Sequence, residues 1–477
     1  MIYRQIMVLL ALSCVMIGSN EVTAEQPNFV ILFADDLGYG DLGCYGHPTI
    51  RTPRLDRMAD EGTRFTQFYS TAGSCTPSRV SLLTGRYQTR SGVNRVLFPR
   101  DRVGIPKSEI TLAEALKEKG YTSAAIGKWH LGHLRPFMPL QNGFDYYYGI
   151  PYSNDMNPAI LYKNNKVIET PAVQASLTER YTKEAVKFID RAVDKPFFLY
   201  LAYTMPHIPL HATEKFRGTS SRGLYGDVLE TIDWSVGTIL DHLKGKGLDE
   251  KTLVVFTSDN GPWTIKRLDG GSAGLLRGSK GTAWEGGVRE PFIARWPSRI
   301  PAGQISQEVG VTMDLFTTFC KLAGADVPSD RPIDGKDLFP ALAGTGKSPH
   351  DMLVFFRGNT KVSAVRKGPW KLMKFYRDKT RPKEKQFVDT PELYHLLKDP
   401  SESVDMSQDY PEIVAEIEKE LEHFLKAFEF GKADKAPPGM LEEWAKENPA
   451  FSPEVFKSYA RVRKYGAPPR KKAPQKK

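Results

Sequence analysis

The sequence predicts an α/β fold: a large mixed, mostly parallel sheet flanked by helices, followed by a smaller C-terminal α+β domain with an antiparallel sheet. Three observations predict it. Short, almost wholly apolar segments alternate with amphipathic ones, the pattern of parallel strands covered by helices on both faces. From about Met352 the pattern changes to period-two alternation, which marks antiparallel hairpins. A chain of 477 residues with 40% hydrophobic content is long enough to bury a large core and to divide into one big and one smaller domain.

Taken in chain order, residues 1–24, "MIYRQIMVLLALSCVMIGSNEVTA", stand apart from the globule. A basic start, an apolar run from Ile6 to Gly18 and small residues at Thr23 and Ala24 have the form of a cleaved secretory signal peptide. The run is shorter than the ~20 residues that span a bilayer. The expectation is therefore a secreted or periplasmic protein with no stable membrane insertion.

"NFVILFADD" (Asn28 to Asp36) reads as a buried strand and "LDRMADEG" as a helix closed by Gly62. "TLAEALKEKG" is a helix ending at Gly120, before the strand "YTSAAIGKWH". "TERYTKEAVKFIDRAV" is a helix leading to the strand "PFFLYLAYTMPH", and "YGDVLETIDWSVGTILDHLKGKG" is a long helix feeding "TLVVFTSDNG". Repeated helix-then-strand units build a parallel sheet. The large domain is placed at 25–347. The smaller one, 348–460, takes the hairpins of "LVFFRGNTKVSAVRKGPWKLMKFY" and the helix "PEIVAEIEKELEHFLKAF". Residues 461–477 carry eight positive and no acidic residues and hold most of the net +10 charge. That stretch reads as a disordered, solvated tail, and no nucleic-acid partner is expected from it.

Cys14 leaves with the signal, so Cys44, Cys75 and Cys320 remain. An odd, small count in an exported protein argues against a disulfide framework and marks at least one thiol as reactive or otherwise used. Cys75 lies in "STAGSCTPSRVSLLTGRY", between a loop of small residues and a helical run, with Arg79 four places on.

Polar residues load the carboxyl ends of the predicted strands, beyond which binding crevices of open α/β sheets lie. The first strand ends in Asp35 and Asp36, another in Lys128 and His130, a third in His207 and a fourth in Asp259 and Asn260. A strand-terminal Asp can be only a turn or helix cap, and a lone His only structural. Four strand ends loaded in this way make coincidence a poor account. Asp35, Asp36, Asp259 and Asn260 offer oxygens alone, which favours Ca²⁺ or Mg²⁺, and Ca²⁺ better suits carboxylates and an amide from two loops. Lys128 and Lys280 add positive charge close to such a metal, describing a site for an oxyanion ester.

At this point the motifs resemble a known family. "CTPSR" followed by "LLTGR" is similar to the CxPxR and TGR signature of the cysteine-type sulfatases, in which a maturation enzyme oxidises the cysteine to formylglycine. "DDLGYGDLGCYG", "GKWHLG", "MPHIP", "TSDNG" and "GSKGTAWEGGVREP" follow in that family's order, and the resemblance runs from about Pro27 to Tyr376. "MDLFTT" and "LAGADVPSDRPIDGKDL" look most like the arylsulfatase A and N-acetylgalactosamine-6-sulfatase subgroup.

The resemblance implies an alkaline-phosphatase-like fold and a sulfuric ester hydrolase. It implies that Cys75 becomes a formylglycine (3-oxoalanine) hydrated to a diol, one hydroxyl attacking sulfur and the other expelling sulfate. By the same resemblance, Asp35, Asp36, Asp259, Asn260 and modified Cys75 bind one Ca²⁺, Lys128 and Lys280 hold the sulfate oxygens, and Arg79 reaches back to the diol and the metal carboxylates. His207 helps to protonate the leaving alcohol, and His130 takes a proton as sulfate departs. Asp259 either shares the acid role or activates the attacking hydroxyl. The helix expected after Pro77 points its N-terminal amides at the anion.

Partners implied are a formylglycine-generating enzyme during maturation and a sulfated carbohydrate, with aryl sulfates as artificial substrates. Specificity is expected from "RSGVNRVLFPRDR", "HLRPF", "SNDM", His211, "GPWTIKRLDGG" and Arg357. Two rivals stand beside this reading: a formylglycine-dependent phosphonate or phosphodiester hydrolase, and a catalytically silent protein that captures sulfated glycans. Two-metal phosphatases of the superfamily typically carry a histidine where this chain has Asn260.

Overall fold

The computed structural model of the chain describes residues 26–358, 360–377, 387–388 and 390–448, so the leader expected at 1–24 and the tail expected at 461–477 lie outside the described residues. At its centre is β1 (Asn28–Ala34), buried along its whole length. Phe29, Ile31 and Phe33 enter one hydrophobic core while Val30, Leu32 and Ala34 enter another. The two-residue period of a strand thus divides one apolar run between two layers, which is why no polar residue alternates within it.

Numbering only the strands of the two larger sheets, the main sheet has ten. Its order is β10 (Gln304–Val311), β2 (Thr63–Tyr69), β9 (Arg289–Arg295), β8 (Thr252–Ser258), β1, β7 (Phe197–Ala202), β3 (Thr122–Lys128), β4 (Tyr146–Ile150), β5 (Leu161–Lys163), β6 (Lys166–Glu169). The run β8, β1, β7, β3, β4 is parallel throughout. β9 is antiparallel to both β8 and β2, so β2 again points the same way as β1. The carboxyl ends of β1, β2, β3, β7 and β8 therefore share one edge of the sheet.

Helices cover both faces. α1 (Pro53–Asp60), α4 (Leu177–Ala192) and α5 (Leu224–Gly245) give Leu55, Met58, Tyr181, Phe188, Val228 and Ile232 to the core that holds Val30 and Leu32. α2 (Cys75–Thr84), α3 (Leu112–Lys117) and α6 (Asp314–Ala323) give Val80, Leu83, Leu112, Leu116, Phe316 and Phe319 to the other. α3 starts where its sequence demands: Thr111 accepts from the Glu114 N–H and Glu114 reaches back to the Thr111 N–H, a complete capping box.

The chain then forms a separate antiparallel sheet of β11 (Met352–Arg357), β12 (Lys361–Lys367), β13 (Trp370–Met373) and β14 (Glu392–His395). α7 (Pro411–Lys426) packs on it through Ile417 and Leu421, in a third core that also takes Tyr69 and Trp284 from the larger part. Beside this dry contact lies a buried ionic network. Lys371 Nζ on β13 sits 2.8 Å from Glu285 and 2.9 Å from Glu402. Glu285 also accepts from the Tyr69 hydroxyl at 2.7 Å and from Arg289 at 3.2 Å.

Removing one member of such a network leaves the others buried and uncompensated. Lys371→Ala is expected to destabilise the protein by about 3–5 kcal/mol, read as a lowered urea unfolding midpoint, and an unchanged midpoint would show that the network does not hold the small sheet in place.

Candidate active site

The pairing of β1 with β8 sets Ala34 opposite Ser258, so Asp35 and Asp259 leave the sheet side by side. Backbone bonds lash both exits down: Asp259 N–H donates to Ala34 O at 3.2 Å and Asp35 N–H to Met205 O at 3.2 Å. Asp36 has φ of 63°, a left-handed conformation uncommon outside glycine and more tolerable for Asp than for most residues. Its N–H donates to Asp259 Oδ1 at 3.1 Å, while its carboxylate accepts from Asn260 Nδ2 at 2.8 Å and from Lys280 Nζ at 2.7 Å.

Each carboxylate is matched by a cation. Arg79 is completely buried and donates to Asp259 Oδ2 from Nε at 3.0 Å and Nη2 at 2.6 Å, with Nη2 3.5 Å from Asp35 Oδ1. Its Nη1 donates to the Lys128 carbonyl at 3.1 Å, tying α2 to the end of β3. Lys128 Nζ lies 2.6 Å from Asp35 Oδ2 and 3.3 Å from Ser153 Oγ. Lys280 pairs with Asp36 and rests 4.5 Å from the centre of the Trp263 ring. The Lys280 side chain is 11% exposed whereas those of Lys128 and Arg79 are at 0%, so the mouth of the crevice is on the Lys280 and Trp263 side.

Cys75 is the first residue of α2, with Ser74 as the extended residue before it. The helix thus begins at Cys75, three residues earlier than a start after Pro77, and Pro77 falls inside the first turn. Proline is tolerated there because first-turn N–H groups have no intrahelical acceptor.

One ligand atom each from Asp35, Cys75 and Asp259 lie within 4.8 Å of one another, all buried. Asp35 Oδ1 and Asn260 Oδ1 are buried oxygens without a hydrogen-bond partner. Two unsatisfied oxygens beside an acidic cluster are what a hard cation would satisfy. Asn260 is poised for it, since its Nδ2 is spent on Asp36 and on Gly261 O and only the oxygen remains. Asp36, expected in the same ligand set, already engages both oxygens, with Asn260 and Lys280.

Burial raises the Asp259 pKa, and nearby Asp35 adds to the rise against the pull of Arg79. Burial also acts to raise Asp35, but Lys128, His207 and Arg79 together bring it below the usual carboxylate value. Burial pushes the Cys75 thiol up in spite of Lys128 and Lys280. An unmodified Cys75 is therefore protonated and a poor nucleophile.

His207 Nδ1 donates to Ile208 O at 2.6 Å, which leaves Nε2 facing Asp36 Oδ2 at 3.5 Å. Its ring tilts against Trp263 with centroids 5.5 Å apart. His130 has φ of 61° and gives Nε2–H to Leu97 O at 2.9 Å, leaving Nδ1 buried and unpartnered. Burial first, then the Lys128 and Arg79 cations, hold His130 well below the usual histidine value, so it is neutral with an open lone pair.

All the strand-end residues singled out in the sequence, together with Cys75, Arg79 and Lys280, thus meet in one crevice. Of the loops proposed for specificity, "GPWTIKRLDGG" reaches it through Trp263, and "RSGVNRVLFPRDR" through the Leu97 carbonyl. Arg357 instead stacks 5.2 Å from the Phe375 ring. "SNDM" reaches the crevice through Ser153, whose hydroxyl touches Lys128 Nζ.

Residues 27–325 match the sulfatase family, and residues 348–449 match the C-terminal region of aryl-sulfatase. N-acetylgalactosamine-6-sulfatase of Canis lupus familiaris is 46% identical over 390 residues, spanning 76% of this chain and 74% of its own. Arylsulfatase A of Homo sapiens is 41% identical over 437 residues, spanning 82% of this chain and 85% of its own. The solved structure of a sulfatase from Pseudoalteromonas sp. superposes with a TM-score of 0.78 at 29% identity, covering 86% of this chain and 92% of that one.

The buried imidazole gives a pH signature. An unfolded histidine titrates near 6.5 while folded His130 lies well below it. Its contribution to stability is then complete above pH 6.5 and is lost as the pH falls toward the folded value. Unfolding midpoints at pH 7.5 and 5.5 should differ less for His130→Gln than for the parent, and the His130 ring signals in NMR should not titrate between pH 8 and 6.

Proposed function

The chain belongs to the sulfatase family and is a sulfuric ester hydrolase, and from that premise we propose that it is an exported enzyme acting on sulfated carbohydrate through a formylglycine made from Cys75 and one bound Ca²⁺. One observation carries the reading. A buried, protonated cysteine opens α2 within reach of Asp35 and Asp259, inside a ring of Arg79, Lys128 and Lys280. That thiol has no disulfide partner among the described residues, and its position is the right one for a modified nucleophile.

A formylglycine at residue 75 would supply, as its hydrate, one hydroxyl as nucleophile towards sulfur and a second to release the sulfate. Ca²⁺ would be held by Asp35, Asp36, Asp259, Asn260 and residue 75 and would supply positive charge to the ester oxygens. The unpartnered Asp35 and Asn260 oxygens support that ligand set.

The remaining roles fall to side chains of the chain itself. Lys128 and Lys280 bind the sulfate oxygens, one from the floor of the crevice and one from its mouth. Arg79 binds no substrate in this reading; its two donors to one Asp259 oxygen keep that carboxylate oriented and charged. His207 presents Nε2 on the Trp263 side, where the leaving group exits, and gives it a proton. His130 is the opposite partner, a neutral base with Nδ1 open that accepts the proton when sulfate departs.

The names of the relatives, an N-acetylgalactosamine sulfatase among them, support a sulfated sugar as substrate, with aryl sulfates as artificial substrates. Export rests on the leader at 1–24, and no helix among the described residues is long and apolar enough to cross a membrane. Maturation requires a formylglycine-generating enzyme. The division into a catalytic domain at 25–347 and a smaller domain at 348–460 is supported by the two sheets and the two family matches.

The test is inorganic sulfate released from a panel of sulfated glycans and 4-nitrophenyl sulfate by protein coexpressed with a formylglycine-generating enzyme. The parent should release sulfate and Cys75→Ala should fall to the buffer blank; activity retained by Cys75→Ala would remove the nucleophile assignment. For the metal, Asn260→Ala should weaken Ca²⁺ binding by about tenfold in calorimetry, and dialysis against EGTA should abolish turnover until Ca²⁺ is restored. Equal Ca²⁺ affinity in parent and variant would take Asn260 out of the ligand set.

A further inference from the structure

His207 belongs to the segment Met205–Leu210, "MPHIPL", whose two prolines have no N–H to contribute. The Met205 carbonyl is taken by Asp35 N–H. The carbonyls of His207 and Pro209, on either side of Ile208, are both taken by one side chain from elsewhere. Asn154 Nδ2 lies 3.3 Å from His207 O and 3.2 Å from Pro209 O.

Asn154 is fully buried and lies just beyond the end of β4. Gln174 holds it in turn: Gln174 Oε1 accepts from Asn154 Nδ2 at 3.2 Å, and Gln174 Nε2 donates to the Asn154 carbonyl at 3.1 Å. Three acceptors around one end of the amide identify that end as the NH₂, since the flipped amide would set oxygen against oxygen. The residue before it, Ser153, touches Lys128 Nζ. The dipeptide Ser153-Asn154 thus braces both a sulfate-binding lysine and the loop that carries the acid.

We propose that Asn154 is a positioning residue for His207. The imidazole is itself tied to this loop, because Nδ1–H donates to Ile208 O, the carbonyl that lies between the two Asn154 holds. Asn154 therefore sets where Nε2 points without touching substrate. The inference rests on the reading that His207 protonates the leaving alcohol. A displacement of about 1 Å in such a group costs on the order of a hundredfold in rate.

The readout that separates positioning from general support is leaving-group dependence. A displaced acid harms substrates whose alcohol leaves poorly, and spares those whose phenolate leaves unaided. The experiment compares the parent, Asn154→Leu, Gln174→Ala and His207→Ala, all coexpressed with a formylglycine-generating enzyme, on aryl sulfates from 4-nitrophenyl to phenyl to 4-methoxyphenyl sulfate. Leu keeps the branched outline of Asn154, with bulkier methyl groups, and removes its donors.

The expected result is a steeper fall of kcat with leaving-group pKa in Asn154→Leu, in the direction of His207→Ala. The loss should be about tenfold or less for 4-nitrophenyl sulfate and about a hundredfold for 4-methoxyphenyl sulfate. Gln174→Ala, at a half-buried position, should show the same sign at smaller size, and it carries the test should Asn154→Leu melt at assay temperature. Equal losses across the series, or slopes equal to the parent's, overturn the role of Asn154. A parent with converted Cys75 that cleaves none of the sulfates overturns the reaction class first, and this role with it.

Discussion

Three carboxylates share one desolvated edge of the sheet, and the rest of the structure follows from keeping them charged there. Asp35, Asp36 and Asp259 are each 3% exposed or less, and each has one close cation: Lys128, Lys280 and Arg79 respectively. An unpaired charge at such depth costs several kcal/mol. Pairing each acid needs three cations delivered from three different parts of the chain. Lys128 arrives at the end of β3, Arg79 from the first turns of α2, and Lys280 from the loop before β9. The sheet order makes this possible, because the reversal through β9 returns β2 to the direction of β1 and brings α2 to the same edge.

The pairing also bears on what the crevice can take in. Three acids against three bases leave the cluster close to neutral, so neither a lone anion nor a lone divalent cation is strongly favoured by charge alone. A divalent cation and a monoanionic ester bound together leave a smaller excess of charge than the cation alone. Asp259 marks where positive charge is short: burial and nearby Asp35 raise its pKa against the pull of Arg79, and it borders the unpartnered oxygens of Asp35 and Asn260. Its neighbour Asp35, with Lys128, His207 and Arg79 around it, is already held in the charged form. The site is therefore asymmetric, with Asp35 held in the charged form and Asp259 less well compensated although each has its own cation.

Much of this was legible in the sequence, for a definite reason. Strands buried on both faces must be written as unbroken apolar runs, and residues just past their carboxyl ends must face one crevice, so Asp35, Lys128, His207 and Asp259 could be placed together before any coordinate was known. The hairpins after Met352 and the capping box of α3 were legible because their signals are local. What the sequence hid depends on partners far apart in the chain. Lys371 reads as an ordinary strand lysine until Glu285 and Glu402, 86 residues before it and in another loop, are folded around it. Asn154 reads as a loop residue until the His207 segment is laid against it. The early start of α2 was hidden by Pro77, which suggests a helix boundary but is compatible with the first turn.

The small antiparallel sheet has a place in this logic. The loop that carries Lys280 lies between the crevice and that sheet, and it is gripped from both sides. Towards the crevice, Lys280 N–H donates to Pro262 O, and the approach is so close that a Cβ on Gly261 would come within 2.0 Å of Gly286 O. Glycine there is required by backbone contact between the loop after β8 and the loop before β9. Towards the small sheet, Arg277 stacks 3.7 Å from Trp284 and donates to Glu402 O at 2.7 Å, while Lys371 clamps Glu285. Lys280, at the mouth of the crevice, is the most exposed of the three cations, and so the one most in need of a rigid backbone behind it. The second sheet supplies that backing from outside, where neither layer of the main fold could reach.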